Sequence, residues 1–250
     1  MHVEVLHALA DNFVFLVEGQ GTGDVIVVDP AEARPVLDWC ARHGRRAGAI
    51  LNTHHHRDHV GGNGAIVAAF PGIPVYAGAR DRLRIPHATE FVAGGDDIVV
   101  CGRGAKVIDV PGHTLGHVAY FLPEGGGGEL FSGDTVFGCT IGNLFEGTAD
   151  DMFGALQRLR ALPSAVRLWC AHEYTLQYVA EAASADPGNA ALAARLRRVE
   201  EQIARGEPTV PLALADELAT NPFFRWDDPA LQRRLGTRDA RETFRRLCED

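Results

Sequence analysis

Residues 49–62 read Ala-Ile-Leu-Asn-Thr-His-His-His-Arg-Asp-His-Val-Gly-Gly: an apolar strand-like run, four histidines within six positions, and two glycines. In an extended chain His54 and His56 project to the same side, while Asp58 and His59, at the turn into the next helix, swing toward a neighbouring point. This spacing suits two adjacent metal ions. The alternative is a surface histidine run, or a helix cap at Asp58.

Further polar residues follow later strand-like runs. His113 lies in Pro111–Thr114, Asp134 in Phe131–Thr135 and His172 in Cys170–Glu173. Strand ends in layered α/β folds are where sites are built, because rigid sheets aim the side chains and loops leave room for substrate. Each residue alone is typical of a turn or a cap. Together with the histidine-rich stretch they predict a metal site.

The pattern of short apolar runs predicts an α/β architecture with a helical C-terminal part. Strand-like and helical stretches alternate early in the chain, strand-like runs continue to residue 132, and Ala-, Leu-, Arg- and Glu-rich helical spacing begins near residue 173. The predicted strands are Val3–Leu6, Asn12–Val17, Val25–Asp29, Ala49–Asn52, Ile98–Cys101, Val107–Val110, Val118–Leu122 and Leu130–Ser132. The predicted helices are Ala31–Arg42, Gly61–Phe70, Tyr174–Ala185, Ala190–Ala204, Pro211–Leu218 and Arg238–Cys248.

Composition narrows the class of protein. Hydrophobic residues make up 46% and charged residues 23%, values typical of a globular domain. With 24 Lys and Arg against 33 Asp and Glu, the net charge of −9 disfavours nucleic-acid binding. Five cysteines without a Cys-x-x-Cys pair indicate a reducing compartment. With no apolar run of membrane-spanning length and no secretion signal, we expect a cytoplasmic protein that contacts neither membrane nor nucleic acid.

In its histidine and aspartate motifs the chain resembles the metallo-β-lactamase superfamily. The superfamily pattern, HxHxDH followed by a His, an Asp and a final His, is matched in order by seven residues: His54, His56, Asp58, His59, His113, Asp134 and His172. Within that superfamily the chain is similar to the glyoxalase II family, the hydroxyacylglutathione hydrolases. The segments that carry this resemblance are 53–63, 112–117, 145–149, 172–175, 187–189, 206–211 and 220–225.

The resemblance implies a fold and a division into domains. The fold would be a four-layer αβ/βα sandwich of two mixed sheets, followed by an all-helical C-terminal domain. Residues 1–172 would form the catalytic domain and residues 173–250 the helical substrate-binding domain.

The resemblance also implies the ligand set. His54, His56 and His113 would bind one divalent ion, Asp58, His59 and His172 a second, and Asp134 would bridge both. These seven would also be the catalytic residues. Imidazole and carboxylate ligands suit zinc, our first expectation, and also iron or manganese. Cys139 and Cys170 are interpreted as packing residues outside the metal sphere.

The implied reaction is thioester hydrolysis. The family splits S-D-lactoylglutathione and related S-2-hydroxyacylglutathiones into a 2-hydroxy acid and glutathione, the second step of methylglyoxal detoxification. A metal pair lowers the pKa of a shared water from about 15.7 toward about 7, and Asp58 would orient that water. A thiolate leaves without a strong general acid, since thiol pKa values lie near ~8.5.

The expected partner is a small glutathione thioester, bound by a monomer. Arg245 and Arg246 are candidate contacts for its carboxylates, with a solvated helix face as the alternative. Animal-type members place a Lys and a Tyr before the Glu-Gly-Thr segment and a Lys in the last helix. Here those positions hold Asn143, Phe145 and Cys248, which predicts weaker glutathione binding. Tyr174 is either a further substrate contact or a buried structural tyrosine.

Some nearby residues have open roles. His55 should point away from the ligands, and His117 should support the His113 loop through a hydrogen bond. Asp29 either orients a ligand or caps the helix after Pro30.

Other functions remain as alternatives. The first is an iron-dependent persulfide dioxygenase of the same superfamily, which holds one metal by two His and one Asp. The second is a hydrolase of other thioesters, and the third is a non-enzymatic metal-binding protein. The seven-ligand set and the helical tail argue against the dioxygenase.

Overall fold

The computed structural model describes residues 1–249. They divide into two units, the first made of Met1–Asp109 and Gly116–Gly133, the second of Val110–Leu115 and the residues from Asp134 onward. Each unit has strands and helices of its own, which are described in turn.

The first unit contains a six-stranded mixed sheet. Its strands, in spatial order, are β1 Val3–Ala8, β2 Asn12–Glu18, β3 Val25–Val28, β4 Ala47–Leu51, β5 Val75–Gly78 and β6 Glu90–Val92. Strands β1 to β3 pair antiparallel, and β3 to β6 pair parallel. All four residues of β3 are apolar and buried, as expected for an interior strand covered on both faces. The sheet confirms the strands predicted in this part of the chain and adds β5 and β6.

Three helices accompany this sheet: α1 Ala33–His43, α2 Arg57–Val60 and α3 Asn63–Ala69. Val36 and Cys40, one helical turn apart on α1, pack with Ile66 of α3 against β-strand residues such as Val27 and Ile50. This spacing gives α1 one apolar face and explains why it forms where the sequence predicts it.

The helix predicted over Gly61–Phe70 is shorter in the structure, because Gly61 and Gly62 separate α2 from α3. At both glycines the chain passes close to another backbone segment. A Cβ atom at Gly62 would lie 2.8 Å from the carbonyl oxygen of Pro30, and one at Gly61 would lie 2.6 Å from that of Ala31. Only glycine permits this approach, so the histidine-rich stretch is held against the loop that follows β3.

The first unit also contains an antiparallel meander: β7 Asp97–Val100, β8 Arg103–Asp109, β9 Val118–Glu124 and β10 Gly127–Gly133. The turn between β9 and β10 uses Gly125 and Gly126, with φ values of 56° and 83°. Positive φ at both positions is what a tight hairpin of this hand requires. The strands predicted between residues 98 and 132 are therefore confirmed.

The second unit begins, after Asp134, with the hairpin β11 Val136–Phe137 and β12 Thr140–Ile141. Helix α4, Ala149–Arg160, follows. Thr148 and Asp151 form a capping box at its start, which satisfies two backbone N–H groups that the first turn leaves unpaired. Strands β13 Val166–Cys170 and β14 Leu212–Ala213 pair antiparallel.

The remaining helices are α5 Thr175–Ala185, α6 Ala190–Ala204, α7 Leu214–Thr220, α8 Pro229–Leu235 and α9 Ala240–Glu249, with a 3₁₀ turn at Pro222–Phe224. Phe153 of α4, Trp226 and Phe244 of α9 form an aromatic cluster, with ring centroids 4.9–6.0 Å apart. The helical C-terminal region is confirmed, although the stretch predicted as a helix from Pro211 starts with β14. Within residues 1–249 no helix combines the length and the apolarity that crossing a membrane requires.

Candidate functional site

The first unit brings its four candidate ligands together where β4 ends. The ring centroid of His54 lies 4.6 Å from that of His56 and 4.1 Å from that of His59. Nε2 of His59 is 3.6 Å from Oδ2 of Asp58. His54 and His59 are fully buried, whereas the Asp58 side chain is partly exposed. Three imidazoles and one carboxylate therefore share one small region of this unit.

The carboxylate of Asp29 supports this group through hydrogen bonds. The buried Asp29 carboxylate accepts hydrogen bonds from the backbone N–H of Thr53 at 2.8 Å and from its hydroxyl at 2.7 Å, and it lies 3.0 Å from Nδ1 of His59. A carboxylate only accepts, so His59 donates from Nδ1 and turns Nε2 toward Asp58. The N-cap of α1 is Glu32. Of the two roles considered for Asp29, the structure thus shows the one that orients a histidine.

Two asparagines that sequence reasoning missed also support this group. Asn12, the first residue of β2, donates to Oδ2 of Asp58 at 3.1 Å and to its backbone oxygen at 3.2 Å. Asn52 donates to the backbone oxygen of His59 at 2.9 Å. Asn12 is a buried polar residue directly before the apolar run Phe13–Val17 of β2, and that position gives only a weak signal in the sequence.

The second unit brings the other three candidates together around one carboxylate. Oδ2 of Asp134 lies 3.4 Å from Nε2 of His113 and 3.6 Å from Nε2 of His172. Nδ1 of His113 donates to the backbone oxygen of Asn143 at 2.8 Å, which leaves Nε2 facing Asp134. All three candidates are at least nine-tenths buried. One carboxylate between two imidazole nitrogens is a suitable donor set for a divalent ion.

The two other histidines near the first group make different contacts. Nδ1 of His55 lies 3.1 Å from Oδ2 of the buried Asp81. His117 stacks on His54, with centroids 4.6 Å apart and planes inclined by 14°, and its Nδ1 is 3.2 Å from the backbone oxygen of Val118.

The two cysteines nearest the candidate ligands are buried thiols. Burial raises the pKa of Cys139 to about 11 and that of Cys170 well above the ordinary thiol value. Neutral, buried thiols behave as small packing residues.

Four candidate substrate contacts lie in two different clefts of the second unit, and Tyr174 lines neither cleft. The larger, of about 830 Å³, is lined in part by Asn143, Phe145 and Cys248, and its described lining holds the carboxylate of Glu181 but neither lysine nor arginine. Arg245 and Arg246 line a separate cleft of about 430 Å³.

The contacts of these candidate residues differ as well. Phe145 is exposed and packs edge-on against His113, with centroids 5.2 Å apart. Arg245 is paired with Asp150 and Arg246 with Glu249. Tyr174 stacks on His172, at 4.9 Å between centroids and 8° between planes.

Comparison with known proteins identifies the family. Residues 10–172 match the family model of the metallo-β-lactamase superfamily, and residues 173–250 match that of the hydroxyacylglutathione hydrolase C-terminus. The hydroxyacylglutathione hydrolase of Gloeobacter violaceus is 51% identical over 247 residues, covering 99% of this chain and 97% of that protein. The chain belongs to the hydroxyacylglutathione hydrolase family. The resemblance inferred from the sequence motifs is confirmed.

Solved structures place this hydroxyacylglutathione hydrolase family member in the metallo-β-lactamase fold. The B3 metallo-β-lactamase BLEG-1 superposes with a TM-score of 0.68 at 19% identity, over 89% of this chain and 99% of that one. TTHA1623, solved in a di-iron-bound form, gives a TM-score of 0.57 at 30% identity, over 69% of this chain and 92% of that one. The predicted fold class is confirmed. Superfamily membership and the buried His and Asp donors together support the binding of divalent metal.

Proposed function

We propose that this chain is a binuclear metallohydrolase that cleaves the thioester of S-D-lactoylglutathione and related S-2-hydroxyacylglutathiones to a 2-hydroxy acid and glutathione. The observation that carries the proposal is the identity of 51%, over 99% of the chain, with a protein named hydroxyacylglutathione hydrolase. The match of residues 173–250 to the C-terminal model of the same family supports it, because that segment distinguishes this family from other metallo-β-lactamase relatives. We take residues 1–172 as the catalytic domain and 173–250 as the substrate-binding domain.

The proposed metal ligands are those that the family resemblance implies. His54, His56 and His113 bind one ion, Asp58, His59 and His172 bind the second, and Asp134 bridges them. Support comes from each unit separately: the first groups three histidines with Asp58, and the second sets Asp134 between two histidines. We propose zinc. Iron is the first alternative, since TTHA1623 was solved in a di-iron-bound form, and manganese the second.

The donor atoms in each unit fit such a centre. Asp29 and the backbone oxygen of Asn143 fix Nδ1 of His59 and of His113, so that Nε2 is the atom presented to a metal. Oxygen acceptors on the far nitrogen are the usual support for histidine ligands and set the tautomer. Imidazole with carboxylate is a donor set that zinc, iron and manganese accept.

When bound, two divalent ions supply a water of lowered pKa and stabilise negative charge on the carbonyl oxygen of a thioester. The chain's own part is orientation. Asn12 donates a hydrogen bond to one oxygen of Asp58 at 3.1 Å, so the carboxylate keeps one direction, in which it would accept a hydrogen bond from the attacking water and orient it. The departing thiolate needs little protonation, since its conjugate acid has a pKa near ~8.5.

The candidate substrate-binding residues are Asn143, Phe145, Tyr174, Arg245 and Arg246. Asn143 and Phe145 touch His113 and line the 830 Å³ cleft, so this cleft is the proposed position of the thiol part of the substrate. Tyr174 stacks on His172. Arg245 and Arg246 belong to another cleft, and their proposed contact is the carboxylate of the γ-glutamyl residue of glutathione.

We propose that the protein acts in the cytoplasm. All five cysteines, each within the described residues, are free thiols, which agrees with the reducing cytoplasm. We propose a monomer, which light scattering coupled to size-exclusion chromatography tests.

The decisive experiment compares substrates on one metal-loaded preparation. Lactoylglutathione, other acylglutathiones and acyl-CoA thioesters are compared by kcat/KM, and oxygen uptake is followed with glutathione persulfide. We expect lactoylglutathione to give the highest kcat/KM and no oxygen uptake. The variant D58A should lose hydrolysis, whereas D97A, which changes an exposed carboxylate paired with Lys106, should not. A higher kcat/KM with acyl-CoA refutes the proposed substrate class, and persulfide-dependent oxygen uptake refutes the proposed hydrolase activity.

A further inference from the structure

The hairpin β11–β12 lies directly after Asp134 and is bent sharply. Its two strands pair Val136 with Ile141 and Phe137 with Thr140, so the turn contains only Gly138 and Cys139. Cys139 has φ of 64°. A residue with a side chain adopts this left-handed conformation only where surrounding contacts hold it there.

Those contacts come from three buried polar side chains of the C-terminal helical region, here called the hairpin clamp: Arg195 of α6, Glu217 of α7 and Asn221. Glu217 accepts the backbone N–H of Cys139 at 3.0 Å. Asn221 donates to the backbone oxygens of Thr140 at 3.1 Å and of Phe137 at 3.4 Å.

Within the clamp the three side chains support one another. Arg195 is paired with Glu217 and donates to the thiol sulfur of Cys139 at 3.4 Å, and Asn221 donates to Glu217 at 2.9 Å. None of the three is more than 3% exposed. A polar network so far from solvent holds its members in one arrangement, and the turn is held with them.

The hairpin in turn holds two groups that belong to the candidate ligands. At the start of the hairpin, the backbone of Asp134 packs against Gly142, where the chain returns. A Cβ atom at Gly142 would lie 1.9 Å from the backbone oxygen of Asp134. At its end, Asn143 supplies the backbone oxygen that accepts Nδ1–H of His113. A shift of the hairpin therefore moves the Asp134 backbone and the acceptor that orients His113 together.

We propose that the hairpin clamp is a positioning device for the metal ligands, through which the C-terminal helices set the affinity for divalent metal. The inference rests on the proposed ligand set, in which Asp134 and His113 bind metal. The helical tail then has a role beyond binding substrate, and residues with no contact to metal determine how tightly the metal is held. Loss of such outer support weakens metal binding by about 10–100-fold in metalloenzymes.

The test uses Asn221→Ser. Asn221 also accepts the N–H of Phe223 at the start of the 3₁₀ turn. Serine keeps that capping function, but is too short to reach the hairpin. The matched control is Asn189→Ser, which changes an asparagine cap on α6 whose donor bonds to the backbone oxygen of Ala219 instead.

The readouts are the dissociation constant for Zn²⁺, from competition with a chromophoric chelator, and the visible spectrum of the Co²⁺-loaded protein, which reports ligand geometry. Urea unfolding of the metal-free forms measures stability separately. We expect N221S to weaken Zn²⁺ binding at least about tenfold and to alter the Co²⁺ spectrum, with N189S within about threefold of the unchanged chain.

A second pair of variants tests the same proposal if N221S does not fold. R195M/E217Q removes the buried ion pair but keeps an oxygen to accept the N–H of Cys139, whereas R195M/E217L removes that acceptor. We expect metal affinity to be retained in the first and reduced in the second. Equal Zn²⁺ affinity in N221S and N189S, or in the two double variants, overturns the inference. If the unchanged chain binds no Zn²⁺ or Co²⁺, both the proposed ligand set and the role of the hairpin clamp are refuted. If the unchanged chain binds metal but the variants do not differ, only the role of the hairpin clamp is refuted.

Discussion

Replacing Arg195 by methionine should destabilise the protein far more than the same change at Arg198. Both arginines lie on α6, and each pairs with an acidic residue of α7, Arg195 with Glu217 and Arg198 with Asp216. They differ in burial. The Arg195–Glu217 pair is at most 3% exposed, whereas the side chains of Arg198 and Asp216 are 54% and 41% exposed.

The magnitudes follow from this difference. Burial alone lowers the pKa of Arg195, but the charge of Glu217 and the hydrogen bond to that carboxylate raise it above its ordinary value, so the guanidinium stays charged. R195M leaves the Glu217 carboxylate buried without its cation, which costs about 3–5 kcal/mol. R198M removes an exposed pair worth about 0.2–1 kcal/mol. In a chain of this size, Tm should fall by about 6–20 °C in R195M and by about 4 °C or less in R198M.

Urea unfolding followed by tryptophan fluorescence measures the effect, since Trp169 and Trp226 report on the second unit. The double variant R195M/E217Q should recover at least about 2 kcal/mol relative to R195M, because it removes the unpaired charge and keeps the acceptor for Cys139. If R195M costs no more than R198M, or if the double variant is no more stable than R195M, the assignment of a buried, mutually dependent ion pair is wrong.

Three further outcomes are expected. Asp29→Ala should weaken Zn²⁺ binding by about 10–100-fold because it removes the carboxylate that accepts Nδ1–H of His59. Asp38→Ala, on the exposed side of α1, should have no effect, and equal chelator-competition curves for the two variants would contradict this. Blocking the glycine carboxylate of lactoylglutathione as an ethyl ester should change kcat/KM by less than about threefold, because the described lining of the 830 Å³ cleft has no lysine or arginine. A charge-assisted contact to that carboxylate would be worth about 1.5–3 kcal/mol, so a loss of tenfold or more would show that a cation binds it. Thr148→Ala should lower the free energy of unfolding by about 0.5–2 kcal/mol through loss of the α4 cap, and an unchanged urea midpoint would count against the capping box.

Most strands of the first unit were predictable because they are apolar runs bounded by turn residues, whereas the short strands β5 and β6 were not predicted. Val25–Val28 has no polar position, and the Gly125–Gly126 turn identifies the hairpin between β9 and β10. Helix α4 was not predicted, although Thr148 and Asp151 are spaced as a capping box. The short helix α8, only seven residues, has too little periodicity to stand out.

The candidate ligands were predictable from residue type and spacing, but their support was not. Arg195 and Glu217 have the helical spacing of ordinary surface charges, and nothing local distinguishes them from the exposed pair of Arg198 and Asp216 on the same two helices. Their burial depends on tertiary packing around the hairpin. Asp29 illustrates the same limit: its contact with His59 spans 30 positions of sequence, so the sequence alone could not decide between a helix cap and support for a histidine.

A binuclear mechanism is tested by a metal titration of the metal-free chain, with lactoylglutathione hydrolysis measured on the same samples. Zn²⁺ is added stepwise, bound metal is counted by inductively coupled plasma spectrometry, and activity is recorded at each step. We expect hydrolysis to rise until two ions are bound per chain and then to stay constant, and we expect D134A to retain neither the second ion nor the activity. Full activity with one ion per chain, or two bound ions without any thioester cleavage, would contradict the binuclear mechanism.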